Sequence, residues 1–319
     1  MNPTRRSFVA LPVLAAGIAS CGKSGKRIIA VIPKGRSHLF WQSVHAGANS
    51  AGRDLGVEIA WNGPATETDF NGQIQIVESM INRRVDAIAL APIDKKVMVG
   101  IVERAAREKV PVIIFDSPVD TDQFVSQVAT DNYAAGKLGA ERLGEILKGK
   151  GKIIIVACQV GAASTMAREQ GFEDKMKESF PGIKILDKRY GMSEVAASRT
   201  VAENMLTAFP DAEGVFASNE SSSMGAALAL KARKSKAKMV GFDFGPTLEE
   251  DMKIGVIDSL VVQHPFKMGY ESVKSAVAAL DGKPVEKINN LAPKLVSNGN
   301  LNEPEVQAQV HPDLKKYLD

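Results

Sequence analysis

The feature that most constrains how this chain can fold is a regular alternation that starts at Arg27 and continues along most of its length. Short runs rich in β-branched residues alternate with longer segments whose apolar residues recur at helical spacing. This pattern predicts parallel strands covered by helices, because a parallel strand pair needs a long crossover connection. The predicted strands are residues 28–32, 57–61, 85–91, 110–115, 124–128, 153–157, 183–186, 214–217, 238–242 and 259–262. The predicted helices are residues 40–55, 70–82, 95–108, 133–147, 167–180, 196–209, 224–234 and 268–280.

So many strands in 319 residues are unusual for a single open sheet, so the chain is predicted to form two doubly wound α/β lobes of similar size. The sheet is predicted to break near Asp131. Because no Gly/Ser-rich or Pro-rich linker marks this boundary, we expect several tight connections between the lobes rather than a flexible tether. Residues 289–319 have little helical periodicity apart from their end, and they are predicted to wrap the surface.

Residues 1–20 have the composition of a signal peptide, with the twin arginines Arg5 and Arg6, an apolar run over 9–16 and small residues before Cys21. The apolar run is shorter than the roughly 20 residues that a membrane-spanning helix needs. The twin arginines followed by Ser-Phe resemble a twin-arginine export signal, and residues 18–21 resemble the lipobox of bacterial lipoproteins. The sequence therefore predicts an exported protein of the periplasm or cell envelope, with a lipid anchor on Cys21.

Residues 17–24 also satisfy the phosphate-loop pattern G-x-x-x-x-G-K-[ST], which would indicate a nucleotide-hydrolysing enzyme. A phosphate loop follows a buried strand and begins a helix, whereas this segment follows the signal-like run and precedes a predicted strand. The sequence shows no convincing nucleophile with a base in reach and no metal ligands at short spacing. We therefore predict no catalytic activity, no cofactor and no bound metal.

The balance of charge argues against a nucleic-acid partner. The chain has 40 Lys and Arg against 37 Asp and Glu, a formal charge of +3. Removal of Arg5 and Arg6 with the signal peptide leaves 38 against 37, a charge of +1, so the excess of cations that neutralises phosphates is lacking. The two cysteines exclude a disulfide scaffold, and Cys158, at the end of a predicted strand, is expected to be a buried core thiol.

Polar and aromatic residues follow most of the predicted strands, and open parallel sheets bind ligands beyond the carboxyl ends of their strands. Asp, Asn, Gln and Arg side chains can bridge adjacent sugar hydroxyls, while a flat aromatic ring covers the apolar face of a sugar. This combination of side chains predicts a sugar-binding site. The residues concerned are Lys34, His38, Phe40, Trp41, Asp116, Ser117, Arg168, Asn219, Asp243 and Gln263.

Structural roles compete with this interpretation at each position. Asp131, at the start of a predicted helix, is expected to be an N-cap. Asp116, Asn219 and Asp243 are equally typical of caps and turns, and the aromatic pair at the start of the first predicted helix is typical of a core. Arg168 by itself would be a solvated helix residue. Both interpretations stay open from the residues alone.

Seven short stretches of the sequence carry a family resemblance. They are residues 40–47 (FWQSVHAG), 111–116 (PVIIFD), 129–132 (ATDN), 167–172 (AREQGF), 215–220 (VFASNE), 240–243 (VGFD) and 261–263 (VVQ). Their order and spacing resemble the periplasmic sugar-binding proteins of the ribose and galactose type, which feed ABC importers. The resemblance covers about residues 27–291, and it implies two doubly wound lobes joined by three crossing strands.

The resemblance also implies where the lobes and the sugar contacts lie. The first lobe would take residues 27–131 plus 265–290, and the second lobe residues 132–264 plus 291–319. The partners would be a monosaccharide and the membrane subunits of an ABC importer, with the membrane reached only through the lipid on Cys21. The family's sugar contacts fall on His38, Phe40, Trp41, Asp116, Arg168, Asn219, Asp243 and Gln263.

Three departures from the ribose-binding pattern leave the identity of the sugar open. Ser117 stands where that pattern has an arginine, His38 stands where it has an asparagine, and Met192 or Ser193 stands where it has a further aromatic of the second lobe. Lys34 is a candidate replacement donor, and Tyr190 is a candidate replacement aromatic. The resemblance therefore implies a ribose-like pentose or a related monosaccharide.

Two other functions share the implied fold. A regulator of the lactose-repressor type would need an N-terminal helix-turn-helix, where this chain has the predicted export signal. A receptor that presents its sugar to a membrane kinase or chemoreceptor has no sequence feature that separates it from an import protein, so this alternative stays open.

Overall fold

The computed structural model describes residues 25–318, and within them the chain forms twelve strands and eleven helices. The strands are β1 (Ile28–Ile32), β2 (Glu58–Trp61), β3 (Ala87–Leu90), β4 (Val112–Phe115), β5 (Ser126–Thr130), β6 (Lys150–Ala157), β7 (Gly182–Tyr190), β8 (Gly214–Ala217), β9 (Lys238–Phe242), β10 (Ser259–Val262), β11 (Ile288–Leu291) and β12 (Lys294–Ser297). The helices are α1 (Leu39–Leu55), α2 (Phe70–Asn82), α3 (Val99–Arg107), α4 (Asn132–Ile146), α5 (Ala163–Ser179), α6 (Val195–Ala208), α7 (Glu220–Arg233), α8 (Pro246–Lys253), α9 (Pro265–Leu280), α10 (Pro304–Val310) and α11 (Lys315–Leu318).

The strands of this part of the chain form two six-stranded sheets, one in each lobe. The first sheet has the order β11-β5-β4-β3-β1-β2, and all its neighbouring strands are parallel. The second has the order β12-β10-β9-β8-β6-β7 and is parallel except for β12, which runs antiparallel to β10. This architecture confirms the predicted α/β fold with two doubly wound lobes. Counted from the edge strands β2 and β7, the two sheets have corresponding strands at each position. The fourth strand is β4 in the first sheet and β9 in the second, so these two strands are equivalent.

The central strands are buried on both faces. In β3 and β4 every residue is buried, which explains why the sequences Ala-Ile-Ala-Leu and Val-Ile-Ile-Phe show no alternation of apolar and polar residues. The apolar side chains of each lobe form clusters on both faces of its sheet, between the strands and the covering helices.

Helices that cover the sheets cross one another at glycines. A Cβ atom built on Gly47 of α1 would lie 1.9 Å from the carbonyl oxygen of Phe266 in α9. A Cβ atom on Gly136 of α4 would lie 1.9 Å from the carbonyl oxygen of Arg168 in α5. Only glycine permits backbones to approach so closely. The crossing at Gly136 therefore fixes the position of the helix that carries Arg168.

The chain passes between the two lobes at three short connections. It leaves β5 of the first sheet at Asp131 and enters α4, which packs on the second sheet. It returns at 263–264, between β10 and α9, and crosses again at 292–293, between β11 and β12. These connections agree with the three crossing strands implied by the resemblance. Asp131 is an N-cap, as expected, because its side chain accepts a hydrogen bond from the N–H of Ala134 at 3.0 Å.

The segment after residue 288 differs from the prediction of a tail that only wraps the surface. It supplies β11 and β12, one to each sheet. Next, α10 packs in the second lobe, where Val306 is buried in the core. Finally α11 packs against α1 of the first lobe, and the carbonyl oxygen of Tyr317 accepts from Asn49 Nδ2 at 2.8 Å. The implied assignment of 291–319 to the second lobe is therefore wrong for α11, whose Tyr317 ring contacts Phe266 of α9.

The remaining expectations concern the membrane, metals and thiols. No helix within residues 25–318 is long and apolar enough to span a bilayer. The same residues contain no group of His, Cys, Asp and Glu side chains that could hold a metal ion. Cys158 is a buried free thiol, as predicted, and burial raises its pKa to about 12. The predicted signal peptide, the phosphate-loop pattern and Cys21 lie outside the described residues.

Candidate functional site

A narrow cleft lies between the lobes, at the carboxyl ends of strands from both sheets. Its free volume is about 30 Å³, well below that of typical small-molecule sites, so its two walls lie close together in this structure. Side chains from both lobes line it, and most of them stand in connections that directly follow a strand. The lining residues are Lys34, His38, Phe40, Trp41, Glu67, Asp116, Ser164, Thr165, Arg168, Asn219, Glu220, Asp243 and Gln263.

Asp116 and Asp243 occupy equivalent places, directly after the equivalent strands β4 and β9. Both have left-handed backbones, with φ values of 61° and 66°. The N–H of Asp116 donates to the carbonyl oxygen of Val128 at 3.0 Å, and that of Asp243 donates to Val261 at 2.9 Å. Asp and Asn are enriched in this conformation, and residues held in it are concentrated at functional sites. The same turn thus places one buried carboxylate from each lobe at the cleft.

Lys34 neutralises the first of these carboxylates. Its Nζ lies 2.6 Å from Asp116 Oδ2, and both side chains are almost completely buried. The same Nζ donates to Ser164 Oγ of the second lobe at 3.0 Å. Ser117 lies beside this group, and its Oγ accepts from the N–H of Ser164 at 3.0 Å. Lys34 therefore places a cation beside Asp116, where the ribose-binding pattern has an arginine at the position of Ser117.

Arg168 reaches the cleft from α5 with its guanidinium held on several sides. Its Nε donates to Asn132 Oδ1 at 2.7 Å, and its Nη1 donates to the carbonyl oxygen of Ser218 at 3.0 Å. The guanidinium carbon lies 4.3 Å from the centre of the Phe242 ring. Only 2 % of Arg168 is exposed, so the alternative of a solvated helix residue is wrong. A guanidinium fixed in this way is a preorganised donor for ligand oxygens.

The aromatic pair belongs to the core of the first lobe and also lines the cleft. Phe40 and Trp41 lie in the first turn of α1, with ring centres 4.8 Å apart and planes at 90°. Both rings line the cleft, yet both also belong to the apolar core of the first lobe, where Trp41 contacts Phe115 edge-on. The core therefore holds these rings rigidly at the wall of the cleft.

Glu67, which was not among the predicted site residues, organises this wall. Its Oε1 accepts from Trp41 Nε1 at 2.7 Å and lies 2.9 Å from His38 Nδ1, while its Oε2 accepts from Ser193 Oγ of the second lobe at 3.1 Å. Burial would raise the pKa of Glu67, but the hydrogen bond and charge of His38, together with the charge of Lys34 and the hydrogen bond of Trp41, outweigh it and lower this pKa to about 2. Burial would likewise lower the pKa of His38, but the hydrogen bond and charge of Glu67, with smaller effects of the charges of Glu220 and Asp243, raise it to about 9. The two groups therefore form a charged pair at neutral pH.

This pair predicts a pH dependence of stability. The folded-state pKa of His38, about 9, lies above its ordinary value of 6.5. Its contribution to folding is therefore complete below pH 6.5 and is lost as the pH rises through 9. We expect the free energy of unfolding from urea titrations to fall between pH 6.5 and 9.5 by up to about 3 kcal/mol more in the wild type than in His38→Gln. An equal fall in the free energy of unfolding of the two proteins would contradict the assignment of a charged pair between His38 and Glu67.

Asp243 is the centre of a hydrogen-bond network beside the connection between the lobes at 263–264. Its Oδ1 accepts from Gln263 Nε2 at 2.7 Å, and its Oδ2 accepts from the N–H of Glu220 at 2.8 Å. Gln263 Oε1 in turn accepts from Thr130 Oγ1 of the first lobe at 2.8 Å. Asn219 is the N-cap of α7 and also lines the cleft, so for this residue capping and lining coincide.

The structure brings all eight predicted contact residues and Lys34 into the one cleft. Ser117 is not among the residues that line the cleft, but its Oγ accepts from the N–H of Ser164, which is. Tyr190 does not reach the cleft, because it ends the edge strand β7 and packs against the second-lobe core. The cleft residues that were not predicted are Glu67, Ser164, Thr165 and Glu220.

The fold and the cleft define the class of protein. The chain belongs to the periplasmic binding proteins: the family model described as "Periplasmic binding protein domain" matches residues 29–284. Two solved structures are similar over most of the chain. A carbohydrate transporter solute-binding protein from Agrobacterium radiobacter, in complex with D-arabinose, is 34 % identical, with a TM-score of 0.88 over 90 % of this chain and 100 % of that chain. An ABC transporter solute-binding protein from Agrobacterium vitis, with bound D-fucose, is 33 % identical, with a TM-score of 0.86 over 89 % of this chain and 100 % of that chain.

A relative that is named for the sugars it binds is also similar to most of the chain. The D-ribose/D-allose-binding protein of Pseudomonas aeruginosa is 29 % identical over 268 residues, which are 81 % of this chain and 83 % of that protein.

Proposed function

We propose that this protein captures a neutral monosaccharide, a ribose-like pentose or a related sugar, between its two lobes and delivers it to an ABC importer. The observation that supports this most directly is the convergence of both lobes on one cleft lined by carboxylate, amide, guanidinium and aromatic side chains. These groups match the alternating donors and acceptors and the apolar face of a sugar.

The charges in the cleft favour a neutral ligand. Lys34 is paired with Asp116, and His38 is paired with Glu67. The charge of Arg168 lies close enough to Asp243 to lower the pKa of that carboxyl, against the larger effect of burial, which raises it. Because each cation has a carboxylate beside it, and the fourth carboxylate, Glu220, accepts from the N–H groups of Leu39 and Phe40, the cleft offers no strong attraction to an anionic or a cationic ligand. A polyhydroxylated neutral molecule fits this electrostatic environment.

The predicted contacts then take distinct roles. The rings of Phe40 and Trp41 would cover the sugar faces, and Asp116 and Asp243 would accept hydrogen bonds from hydroxyls. Arg168 would donate to sugar oxygens from its fixed guanidinium. The remaining contacts are made by groups that donate, or both donate and accept, from His38, Asn219 and Gln263.

Several contacts between the lobes describe a closed form. Lys34 reaches Ser164, and the N–H of Lys95 donates to the carbonyl oxygen of Gly161 at 3.1 Å. A sugar that contacts both lobes would stabilise this closed form by binding it more tightly than the open form. The closed form would then be recognised by the membrane subunits of the importer.

Export and anchoring are part of the proposal. The family is one of periplasmic proteins, which supports the prediction that residues 1–20 are removed as a signal peptide. We propose that Cys21 then becomes the lipidated first residue, and the mass of the N-terminal peptide of the mature protein tests this. The mass of an unmodified peptide that starts upstream of Cys21 would contradict it.

Import is favoured over sugar signalling and over catalysis. The two Agrobacterium proteins are named for transport, and the Pseudomonas protein is named for sugar binding. These names support the import function for a chain that shares their fold and covers most of their length.

A ligand panel tests the proposed function. We expect the melting temperature of the purified protein to rise with one or a few of D-ribose, D-arabinose, D-allose and D-fucose, and to stay unchanged with ATP. A sugar at 100 times its dissociation constant should stabilise the fold by about 2.7 kcal/mol, which is readily measured. The matching alditols are the control, because they keep the hydroxyls but lose the ring. A rise with ATP alone, or with none of the sugars, would overturn the proposal.

A further inference from the structure

Glu220 makes an unusual contact between the lobes. It is the first residue of α7 in the second lobe, but its carboxylate points at the start of α1 in the first lobe. Its Oε1 accepts from the N–H of Leu39 at 3.2 Å, and its Oε2 accepts from the N–H of Phe40 at 3.0 Å. Only 8 % of Glu220 is exposed. A carboxylate of one lobe thus caps a helix of the other.

The first lobe does not supply this cap itself. His38 stands at the N-cap position of α1, and its side chain makes no capping hydrogen bond. The first N–H groups of a helix have no partner within the helix, and the helix dipole makes its N-terminus favourable for a negative charge. In the closed form the Glu220 carboxylate supplies both the hydrogen-bond acceptors and the negative charge that favour the N-terminus of α1.

We propose that Glu220 is a closure residue, which sets the affinity for the sugar by stabilising the closed form rather than by contacting the sugar. The proposal rests on the proposed function. Both carboxylate oxygens are already engaged by α1, so Glu220 acts as a positioning residue. When the lobes separate, water replaces this contact on both sides, and the hydrogen bonds therefore contribute only to the closed form. Ligand affinity scales with the population of the binding-competent form, so the contact strengthens sugar binding.

A second carboxylate makes the reciprocal contact. Glu67 of the first lobe accepts from Ser193 Oγ of the second lobe, and the carbonyl oxygen of Glu67 accepts from Gln159 Nε2 at 3.0 Å. Glu67 also holds His38 and Trp41, so its replacement would disturb the wall of the cleft. Glu220 also lines the cleft, but its carboxylate makes its hydrogen bonds to α1 and holds neither His38 nor Trp41 by a hydrogen bond, so it is the better residue for a test.

The test uses Glu220→Gln, which keeps the size of the side chain but removes its charge and turns one acceptor into a donor that faces the N–H groups of α1. We expect the dissociation constant of the sugar that gives the largest shift in the panel to rise at least about 10-fold, since hydrogen bonds to charged groups are the stronger ones. The melting temperature of the ligand-free protein should stay within about 2 °C of the wild type, a margin that corresponds to a small change in stability. Glu220→Asp keeps the charge on a shorter side chain, and its effect should be intermediate.

The matched control is Glu203→Gln on α6, which removes an exposed pair with Arg199 and should leave the dissociation constant unchanged. An unchanged dissociation constant in Glu220→Gln would overturn the proposal. A large fall in the melting temperature of the ligand-free Glu220→Gln protein would also overturn it. Such a fall would show that the Glu220 cap stabilises the protein without ligand, which is a structural role and not a closure role.

A second measurement needs no sugar. Spin labels at Val97→Cys and Val160→Cys, both at exposed positions near the contact between Lys95 and Gly161, would report the distance between the lobes in a Cys21→Ser background. We expect the short-distance fraction of the ligand-free protein to fall in Glu220→Gln. Equal distance distributions would overturn the closure role, and this holds even where no sugar of the panel binds the wild type and the proposed function itself fails.

Discussion

Replacing Asp243 by alanine is expected to weaken sugar binding by about 2 kcal/mol or more, which is roughly a 30-fold rise in the dissociation constant. The change removes the acceptor of Gln263 Nε2 and of the Glu220 N–H, and both donors are buried. It also removes a hydroxyl acceptor from the proposed site and a carboxylate close to Arg168. Alanine is less suited than aspartate to a φ of 66°, so some strain is added.

Asp243→Asn separates these causes, and calorimetric titration measures both variants. Asparagine tolerates the left-handed backbone and keeps one acceptor, so it should bind more tightly than the alanine variant and more weakly than the wild type. Asp131→Asn is the control, because Asp131 caps α4 outside the lining of the cleft. If the alanine variant bound with wild-type affinity, Asp243 would have to be removed from the site.

Gly136→Ala is expected to destabilise the protein by about 3 kcal/mol. The new Cβ would lie 1.9 Å from the carbonyl oxygen of Arg168 and 2.9 Å from the backbone nitrogen of Phe172. Both atoms belong to the backbone of α5, so the helix itself must shift. Because α5 carries the Arg168 guanidinium, sugar binding should weaken as well. Urea unfolding measures the loss of stability.

The control for this prediction is Gly100→Ala. Gly100 lies in α3, and a Cβ built on it meets no atom within 4 Å. Alanine there should stabilise the protein by about 0.5 kcal/mol, because glycine loses more conformational freedom in a helix. A Gly136→Ala protein that unfolds within about 1 kcal/mol of the wild type would show that the crossing of α4 and α5 adapts easily.

Much of the fold follows from local patterns in the sequence. All ten predicted strands are present, and the central ones are β-branched runs buried on both faces of a parallel sheet; β2 and β7, at the sheet edges, are only partly buried. The two strands that were not predicted, β11 and β12, are short, and residues such as Ile288 and Asn290 in β11 are exposed. They are strands because each pairs with a strand far away in the sequence. Local hydrophobicity contains no information about such pairing.

The site was predictable to a similar degree. Asp116 and Asp243 end two buried strands, so the rule for open sheets places them at the cleft. Glu67 lies in the loop between β2 and α2, at no strand end, and reads as an ordinary polar loop residue. Glu220 directly follows Asn219 and reads as an acidic residue in the first turn of a helix. Its contact with α1 depends on how the two lobes meet, which no local pattern encodes.

The path of the C-terminal segment limits how the two lobes can move. The chain links the two lobes at four places within residues 25–318. Three are the connections between strands described above, and the fourth is the segment from α10, in the second lobe, to α11, in the first. A single joint would let the bodies bend and twist in any direction, whereas each further joint removes some of that freedom. The few residues between the α10 anchor and the α11 anchor also limit how far the bodies can swing apart. A fusion or truncation at this end of the chain would therefore alter the amplitude and direction of opening, and a sensor built on this protein should carry its reporter elsewhere.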